Sequence, residues 1–328
     1  MASRRLFELI MCAAVFLIAV TPLAASEAPP AFLSAWGCYG TSPGQMIEPI
    51  AMALDGHGSM FVSEEWGHRV SLFALDGTFE SMWGSQGGAP GQFYTPAGIG
   101  VGPNGDVYVV EWQNHRLQRF GPDGALKQMW GSYGTAPGQF SYPAFLAIDQ
   151  TGAVYVTEEG NDRLQKFDPD GLLLAVWGGS GTGPGQFAAP YGIAVDRSGN
   201  VFVAERNGNR VQKFSSSGVF ITQWGSAGTA EGQFNIPHGV AVDLLGNVYV
   251  ADALNHRVQK FTGDGAFLCA WGTHGAAAGQ FSSPTGVAVG DDGNVYVADR
   301  WNHRIQVFGV APTAARRNTW GGVKALRP

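Results

Sequence analysis

The chain has 328 residues, of which 20 are Lys or Arg and 26 are Asp or Glu, so its formal net charge is −6. This mildly acidic balance gives no electrostatic reason to bind nucleic acid or anionic membranes. The 48 glycines are about twice the usual share, and with 45% hydrophobic residues they predict a large core joined by many tight turns.

The N-terminus predicts a secretory signal peptide of 26 residues. Arg4 and Arg5 precede an apolar run over residues 9–20, and small residues then suit cleavage after Ala25 or Ser26. The run is shorter than the roughly 20 residues that span a bilayer, so we expect no membrane insertion. We expect the mature chain, with a charge of 18 − 25 = −7, to be secreted or periplasmic.

The rest of the chain is built from repeats of 47 residues. In the fifth repeat, β-rich runs over 239–243, 248–252, 257–261 and 266–271 are separated by Gly- and Asp-containing turns and one loop. Four antiparallel strands per repeat are typical of a propeller blade. The sequence therefore predicts an all-β, six-bladed β-propeller over residues 29–309. The repeat is marked by Trp36-Gly37, Trp83-Gly84, Trp130-Gly131, Trp177-Gly178, Trp224-Gly225 and Trp271-Gly272.

The first strand of this region has no blade of its own in sequence order. Residues 31–37 match residues 266–272 at six of seven positions, whereas Pro312 stands where the sixth repeat needs its turn glycine. We therefore expect this N-terminal strand to pair into blade six and close the ring, which removes exposed sheet edges. Residues 310–328 would then form a basic tail.

The loop between the second and third strands carries a recurring Asn-His-Arg motif, at residues 114–116, 255–257 and 302–304. With the preceding Tyr-Val-Ala-Asp and the following Gln-x-Phe, it resembles the NHL-repeat family over residues 36–308. The resemblance implies a six-bladed β-propeller and no single function. Similar propellers serve as extracellular sensors, as protein- or RNA-binding modules, and as peptidyl-amidoglycolate lyases.

An acidic residue ends the second strand of every repeat, and an arginine follows five residues later. Second strands lie about 4.8 Å outside the channel-lining strands, which keeps neighbouring acids too far apart to share one cation. We expect each acid to pair with the arginine of its own hairpin, and the motif histidines to pack within their loops. No metal or other cofactor is predicted. The acids are Glu64, Glu111, Glu158, Glu205, Asp252 and Asp299, and the histidines are His68, His115, His256 and His303.

Two cysteines remain after Cys12 leaves with the signal peptide. Cys38 and Cys269 are too few for a disulfide framework, and a chain of this length does not need one. The sequence leaves two alternatives, a single disulfide bridge between them or two free thiols.

Positions where the repeats differ carry the functional information. At the start of the innermost strands, near the channel mouth, Tyr191 and His238 stand where the other repeats have Ile50, Ala97, Ala144 and Thr285. Amidoglycolate lyases, by the resemblance, hold zinc with histidines from several blades at this place. Here only His238 matches, and a catalytic zinc site needs about three protein ligands. Tyr191 and His238 either bind a polar ligand or have a neutral packing role within the protein.

Three tryptophans lie in the loops on the same face. Trp66, Trp112 and Trp301 belong to blades one, two and six, which are contiguous once the ring closes. Exposed tryptophans on neighbouring loops form recognition patches for peptides or glycans. The alternative is that each indole ring folds over its own blade.

The sequence therefore favours a binding or scaffold module outside the cytoplasm over an enzyme. The expected partner is a peptide, a carbohydrate or a protein, held by Trp66, Trp112, Trp301, Tyr191 and His238. The alternative is a metal-dependent lyase or hydrolase with its site at the channel mouth, similar to the amidoglycolate lyases. No Ser–His–Asp set, phosphate loop or Cys-x-x-Cys motif is visible, and we predict no nucleic-acid partner.

Overall fold

The computed structural model describes residues 26–309. The predicted signal peptide, apart from its last residue, and the predicted tail lie outside the described residues. The described part contains 24 strands in six four-stranded antiparallel sheets, as the repeat predicts. Blade one comprises β2 to β5 at Pro49–Leu54, Ser59–Glu64, Arg69–Ala74 and Phe79–Trp83. Blade two comprises β6 to β9 at Pro96–Val101, Val107–Glu111, Arg116–Phe120 and Leu126–Trp130.

The middle blades repeat the same plan. Blade three comprises β10 to β13 at Pro143–Ile148, Val154–Glu158, Arg163–Phe167 and Leu173–Gly178. Blade four comprises β14 to β17 at Pro190–Val195, Val201–Glu205, Arg210–Phe214 and Phe220–Trp224. Blade five comprises β18 to β21 at Pro237–Val242, Val248–Asp252, Arg257–Phe261 and Phe267–Trp271.

Blade six is completed by the N-terminal strand, which confirms the predicted ring closure. Its strands are β22 at Pro284–Val289, β23 at Val295–Asp299, β24 at Arg304–Gly309 and β1 at Ala31–Trp36. β1 pairs antiparallel with β24 as the outermost strand, and Trp36 lies opposite Ile305 in the register. The two ends of the described chain are thus joined within one sheet.

The only helices in residues 26–309 are two single turns of 3-10 helix, at Ala253–Asn255 and Arg300–Asn302. None of the helices in this part of the chain has the length and apolarity to cross a membrane. The two turns lie between the second and third strands of blades five and six. In every blade, these loops share one face of the ring with the segments that lead into the inner strands, and we call it the loop face.

The repeated aromatic residues fill the spaces between blades. The phenylalanine of each Gly-Gln-Phe motif is fully buried, for example Phe93 and Phe234. Five of the six Trp-Gly tryptophans are half-buried and cover the turn of the next blade, and Trp271 is buried. A Cβ on Gly124, for example, would lie 2.8 Å from the Trp83 ring. Gly124 also has a φ of +80°, so both its backbone and its neighbour require glycine.

The inner strands approach one another closely around the channel. A Cβ at Gly192 would lie 2.1 Å from the carbonyl oxygen of His238 in the next blade, and one at Gly239 would lie 2.4 Å from that of Thr285. Glycine at these positions lets neighbouring inner strands pack backbone to backbone. The residues immediately before them, Tyr191 and His238, are thereby held close to the channel axis.

The two cysteines are free thiols, which resolves the alternative left by the sequence. Cys38 is exposed just beyond β1, whereas Cys269 is buried on β21 of blade five. The ring is therefore closed by strand pairing and hydrogen bonds, with no disulfide bridge between these two positions.

Candidate functional site at the channel mouth

The acidic residues that end the second strands form a structural ring, which we call the acid ring. Each carboxylate is fully buried and lies 2.5 to 2.8 Å from the Nε of the arginine five residues later. This confirms the predicted pairing within each hairpin. The acid ring consists of Glu64, Glu111, Glu158, Glu205, Asp252 and Asp299.

The carboxylates of the acid ring are fully buried and accept several hydrogen bonds each from within the protein. In blade four, Glu205 accepts hydrogen bonds from Arg210 Nε at 2.6 Å, from Gln212 Nε2 at 2.7 Å and from the Ala188 N–H at 2.8 Å. Burial raises the pKa of Glu205, while Arg210 and the other donors lower it. The arginine in turn donates to loop carbonyls such as that of Gln186. The acid ring therefore stabilises the loop face.

The motif histidines connect neighbouring blades. His68 Nδ1 accepts a hydrogen bond from the Thr95 N–H of the next blade at 3.3 Å, and His303 Nδ1 closes the ring by accepting from the Glu48 N–H at 3.1 Å. Donor and acceptor residues all have φ between 48° and 56°, a left-handed conformation that costs energy in non-glycine residues. We call the six acceptors the latch residues: His68, His115, Asp162, Asn209, His256 and His303.

The residue that follows each acid-ring residue differs from blade to blade and lies at the channel mouth. We call this set the mouth ring. Unlike the acid ring, it mixes both charges with aromatic and apolar side chains. It consists of Glu65, Trp112, Glu159, Arg206, Ala253 and Arg300.

Two ion-pair groups organise the mouth ring on opposite sides of the channel. Arg300 lies 2.6 Å from a carboxylate oxygen of Glu65 and 2.8 Å from one of Glu48. Across the mouth, Arg206 lies 3.1 Å from Glu159. Three carboxylates against two guanidinium groups leave no excess of positive charge.

The mouth ring surrounds a small cavity of about 190 Å³. Drug-sized ligands usually occupy roughly 300–1,000 Å³, so this cavity suits a single ring-sized group. Its lining comes from five blades and consists of Glu65, Ala97, Trp112, Tyr191, Arg206, His238 and Arg300.

Tyr191 and His238 are the buried residues of this cavity. Their ring centroids are 4.9 Å apart, and the guanidinium of Arg206 lies 4.8 Å from the centre of the Tyr191 ring. Tyr191 also packs against Phe145, with ring centroids 5.0 Å apart. His238 is only 5% exposed, yet its Nδ1 has no hydrogen-bond partner among the described residues.

Electrostatics keep both of these residues uncharged. Burial, reinforced by Arg206 and Arg300, lowers the pKa of His238 well below its ordinary value. Burial, with a smaller effect of Glu65, raises the pKa of Tyr191. Burial also raises the pKa of Glu65, against the opposing effect of Arg300. His238 is therefore a neutral imidazole that lines a polar cavity and has one buried nitrogen, Nδ1, without a partner.

The three predicted tryptophans do not form one cluster. Trp66 and Trp301 occupy equivalent loop positions in neighbouring blades and are 54% and 52% exposed. Trp112 lies one register position earlier, in the mouth ring, where its ring centroid is 4.5 Å from that of Tyr142. Its Nε1 is 3.4 Å from a carboxylate oxygen of Glu159. Of the five site residues predicted from sequence, Trp112, Tyr191 and His238 therefore line the cavity, and Trp66 and Trp301 lie outside it.

Sequence reasoning missed the charged part of the mouth. Glu65, Glu159, Arg206 and Arg300 were not among the predicted site residues, although the repeat contained a usable signal. Each follows an invariant acid, at a position that changes charge from blade to blade.

The mouth does not fit a metal centre. Among residues 26–309, no group of three or more His, Cys, Asp or Glu side chains is arranged to hold a metal ion. Glu48 and Glu65 share the guanidinium of Arg300, which occupies the place a cation would take between them.

Comparison with known proteins places the chain in a family. The model of the virginiamycin B lyase family matches residues 41–307, most of the chain. The chain belongs to the virginiamycin B lyase family. The expected resemblance to NHL repeats is thus confirmed at the level of the six-bladed propeller, and the family that matches is that of the lyases. No curated protein sequence matches the chain.

Solved structures similar to this family member share its fold. A streptogramin B lyase is 16% identical with a TM-score of 0.60, over 85% of this chain and 98% of that one. Virginiamycin B lyase from Staphylococcus aureus is 16% identical with a TM-score of 0.56, over 85% and 99%. A gluconolactonase from Xanthomonas campestris is 14% identical with a TM-score of 0.62, over 88% and 98%. At these identities the likeness concerns the propeller alone.

Proposed function

We propose that this propeller is a binding module outside the cytoplasm, with its site at the channel mouth. The observation that carries this proposal is His238, a buried and neutral imidazole whose Nδ1 is unpaired beside a polar cavity. A buried polar atom without a partner costs about 1–3 kcal/mol. A ligand that pairs with His238 removes this cost, so the cavity gains stability when it is occupied.

The contrast with the rest of the loop face supports this assignment. The acid ring and the latch residues satisfy their hydrogen bonds within the protein, as Glu205 and His68 illustrate. Within the mouth, burial lowers the pKa of His238 and raises those of Tyr191 and Glu65. Such groups in a cleft are typical of functional sites. The predicted signal peptide supports a location outside the cytoplasm.

Peptide and glycan arrays probed with the full chain and with His238→Phe test the proposal. The substitution keeps a planar ring and removes the unpaired nitrogen. We expect wild-type binding that is weaker by about tenfold or more in His238→Phe. Leu245→Ala is the matched control, because Leu245 is 88% exposed on the turn between β18 and β19, opposite the loop face. Absence of any bound ligand, or equal binding by His238→Phe, would contradict the proposal.

A second candidate is a lyase or hydrolase acting at the same mouth, and family membership favours it. Neutral His238 carries a lone pair on one of its ring nitrogens, as proton abstraction requires. This candidate assigns no role to a metal, because the carboxylates of the mouth are held by arginines.

Incubation with quinupristin, which a relative's structure contains, tests this candidate. If an elimination opens a ring of quinupristin, the product has the same mass as the substrate, whereas hydrolysis adds one water. Liquid chromatography with mass spectrometry separates the two outcomes. Unchanged quinupristin would remove the support for this form of the activity, and elemental analysis of the purified protein would report any stoichiometric metal.

A further inference from the structure

One half of the loop face carries exposed aromatic rings around the mouth. Tyr39 and Tyr133 are 67% and 68% exposed, at equivalent positions before the inner strands of blades one and three. Trp66 and Trp301 are just over half exposed on the loops of blades one and six. We call these four residues the aromatic arc. Blades four and five have Ser180, Ala227, Asn207 and Leu254 at the equivalent positions.

Rings of this half are held in place by neighbouring side chains. Tyr39 packs edge-on against the latch residue His303, with ring centroids 4.9 Å apart, and Tyr133 packs against His115 at 4.8 Å. Trp66 lies 6.3 Å from His68 in the same edge-on manner. Rings that are already ordered lose little conformational entropy when a ligand stacks on them.

The arc does not resemble a protein-binding surface. A stable protein interface buries about 800 Å² per partner around a continuous apolar core. Here the four rings lie on four separate loops of a face whose mouth is charged. Isolated ring faces beside a polar cavity match a ligand that combines apolar faces with polar edges. Sugar residues have this character, because each ring has an apolar C–H face and a hydroxyl periphery.

The mouth favours a hydroxyl or amino group over an anion. Both guanidinium groups are already paired, and the carboxylates outnumber them. The unpaired Nδ1 of neutral His238 can exchange one hydrogen bond with a hydroxyl, which is both donor and acceptor. Oε2 of Glu65 contacts Arg300 without the geometry of a hydrogen bond.

We propose that the ligand is a neutral or amino-substituted glycan. One terminal sugar ring enters the mouth beside Trp112 and bonds to His238, and the following sugars stack on the aromatic arc. The cavity of about 190 Å³ has room for one ring, so the rest of the chain must lie on the surface. This inference rests on the proposed binding function and specifies its ligand class.

A glycan array that includes neutral, amino and acidic oligosaccharides, followed by titration calorimetry with chitohexaose, cellohexaose and hexagalacturonate, tests the proposal. We expect at least one neutral or amino glycan to bind, and the acidic hexagalacturonate to bind about tenfold more weakly or not at all. Trp66→Ala combined with Trp301→Ala should weaken binding by roughly tenfold. His238→Asn, which retains a hydrogen-bonding group, should bind better than His238→Phe, and Leu245→Ala should bind like wild type.

The outcomes separate the two proposals. If no neutral or amino glycan binds while a peptide binds in a His238-dependent way, the glycan inference is overturned and the binding module stands. If glycans bind but neither His238→Phe nor the double tryptophan variant weakens their binding, the proposed site is wrong and both proposals fail. Preferred binding of hexagalacturonate would overturn the charge argument and with it the ligand class. Unfolding midpoints of all variants show whether they are folded.

Discussion

Adjacent residues of the same loops form two rings with opposite properties. In the acid ring, Glu64 is fully buried and bound by Arg69, Ser71 and the Ile47 N–H. One residue later, Glu65 belongs to the mouth ring, and one of its buried oxygens has an ion-pair contact but no aligned hydrogen bond. Six repetitions make the first ring nearly uniform, whereas the second changes side chain in almost every blade.

The difference shows how a repeat protein separates stability from function. Satisfied groups at repeated positions hold each loop to its blade and each blade to the next. At the mouth, the unsatisfied groups of Glu65 and His238 stand at varied positions, where a ligand can compensate for the stability that they cost. The predictions below alter one ring at a time, so that the effects on unfolding and on binding can be compared.

The largest effect is expected in the acid ring. Arg210→Ala leaves the carboxylate of Glu205 buried without its cation, and losses of this kind cost about 3–5 kcal/mol. Chemical denaturation should show a markedly lower free energy of unfolding. Arg197→Ala is the control, because its ion pair with Asp291 is exposed and should contribute less than about 1 kcal/mol. Similar losses in both variants would refute the structural role of the acid ring.

The latch residues predict a pH dependence of stability. Burial lowers the pKa of His68, His115 and His256 in the folded protein, and nearby His274 lowers that of His256 further. The unfolded chain therefore binds more protons as the pH falls through about 6.5, and stability is lost in that direction. Each histidine contributes at most about 1.4 kcal/mol per pH unit.

Asparagine already serves as the latch residue at Asn209, which provides the matched substitution. A variant with Asn at positions 68, 115 and 256 keeps an acceptor that does not titrate. Its free energy of unfolding between pH 7 and 5, measured by urea titration, should fall less steeply than that of the wild type. Equal slopes would mean that protonation of these side chains is not coupled to unfolding.

A smaller effect of opposite sign is expected in the mouth ring's cavity. His238→Phe removes a buried nitrogen without a partner, so the free energy of unfolding should rise by about 1 kcal/mol. The same variant should lose ligand binding. Thermal unfolding and binding measured on one preparation test this trade-off, and a clear loss of stability would mean that His238 is mainly a packing residue.

The smallest effect concerns the thiols. Cys38→Ser should leave stability unchanged within about 0.5 kcal/mol, because the side chain is exposed and unbridged. A thiol reagent should label Cys38 in the folded protein and Cys269 only after unfolding. Disappearance of both thiols in the oxidised protein would contradict the described positions.

The scaffold could be predicted from sequence because its signals are repeated. The interval between Trp-Gly pairs predicts the number of blades, and the match between residues 31–37 and 266–272 predicts that the N-terminal strand pairs into blade six. The pairing of each acid with its arginine followed from a fixed separation and from the distance between blades. Repetition makes such local rules reliable, since every blade tests the same interaction.

The site was only partly predictable because its contacts cross the ring. Arg300 and Glu48 are 252 residues apart and meet only when blade six adjoins blade one. Trp112 was predicted with Trp66 and Trp301, but a shift of one register position places it at the mouth. The unpaired state of His238 depends on which side chains surround it, and no sequence pattern reports that.

Side-chain nitrogen NMR of the full chain with labelled histidines tests the central claim most directly. On addition of the oligosaccharide or peptide selected on the arrays, the imidazole nitrogens of His238 should shift strongly, while those of the latch residue His256, which packs against His274 and not against the aromatic arc, stay unchanged. That result would place the ligand at the mouth ring and leave the latch residues to the scaffold. A bound ligand that leaves the His238 resonances unmoved would contradict the account.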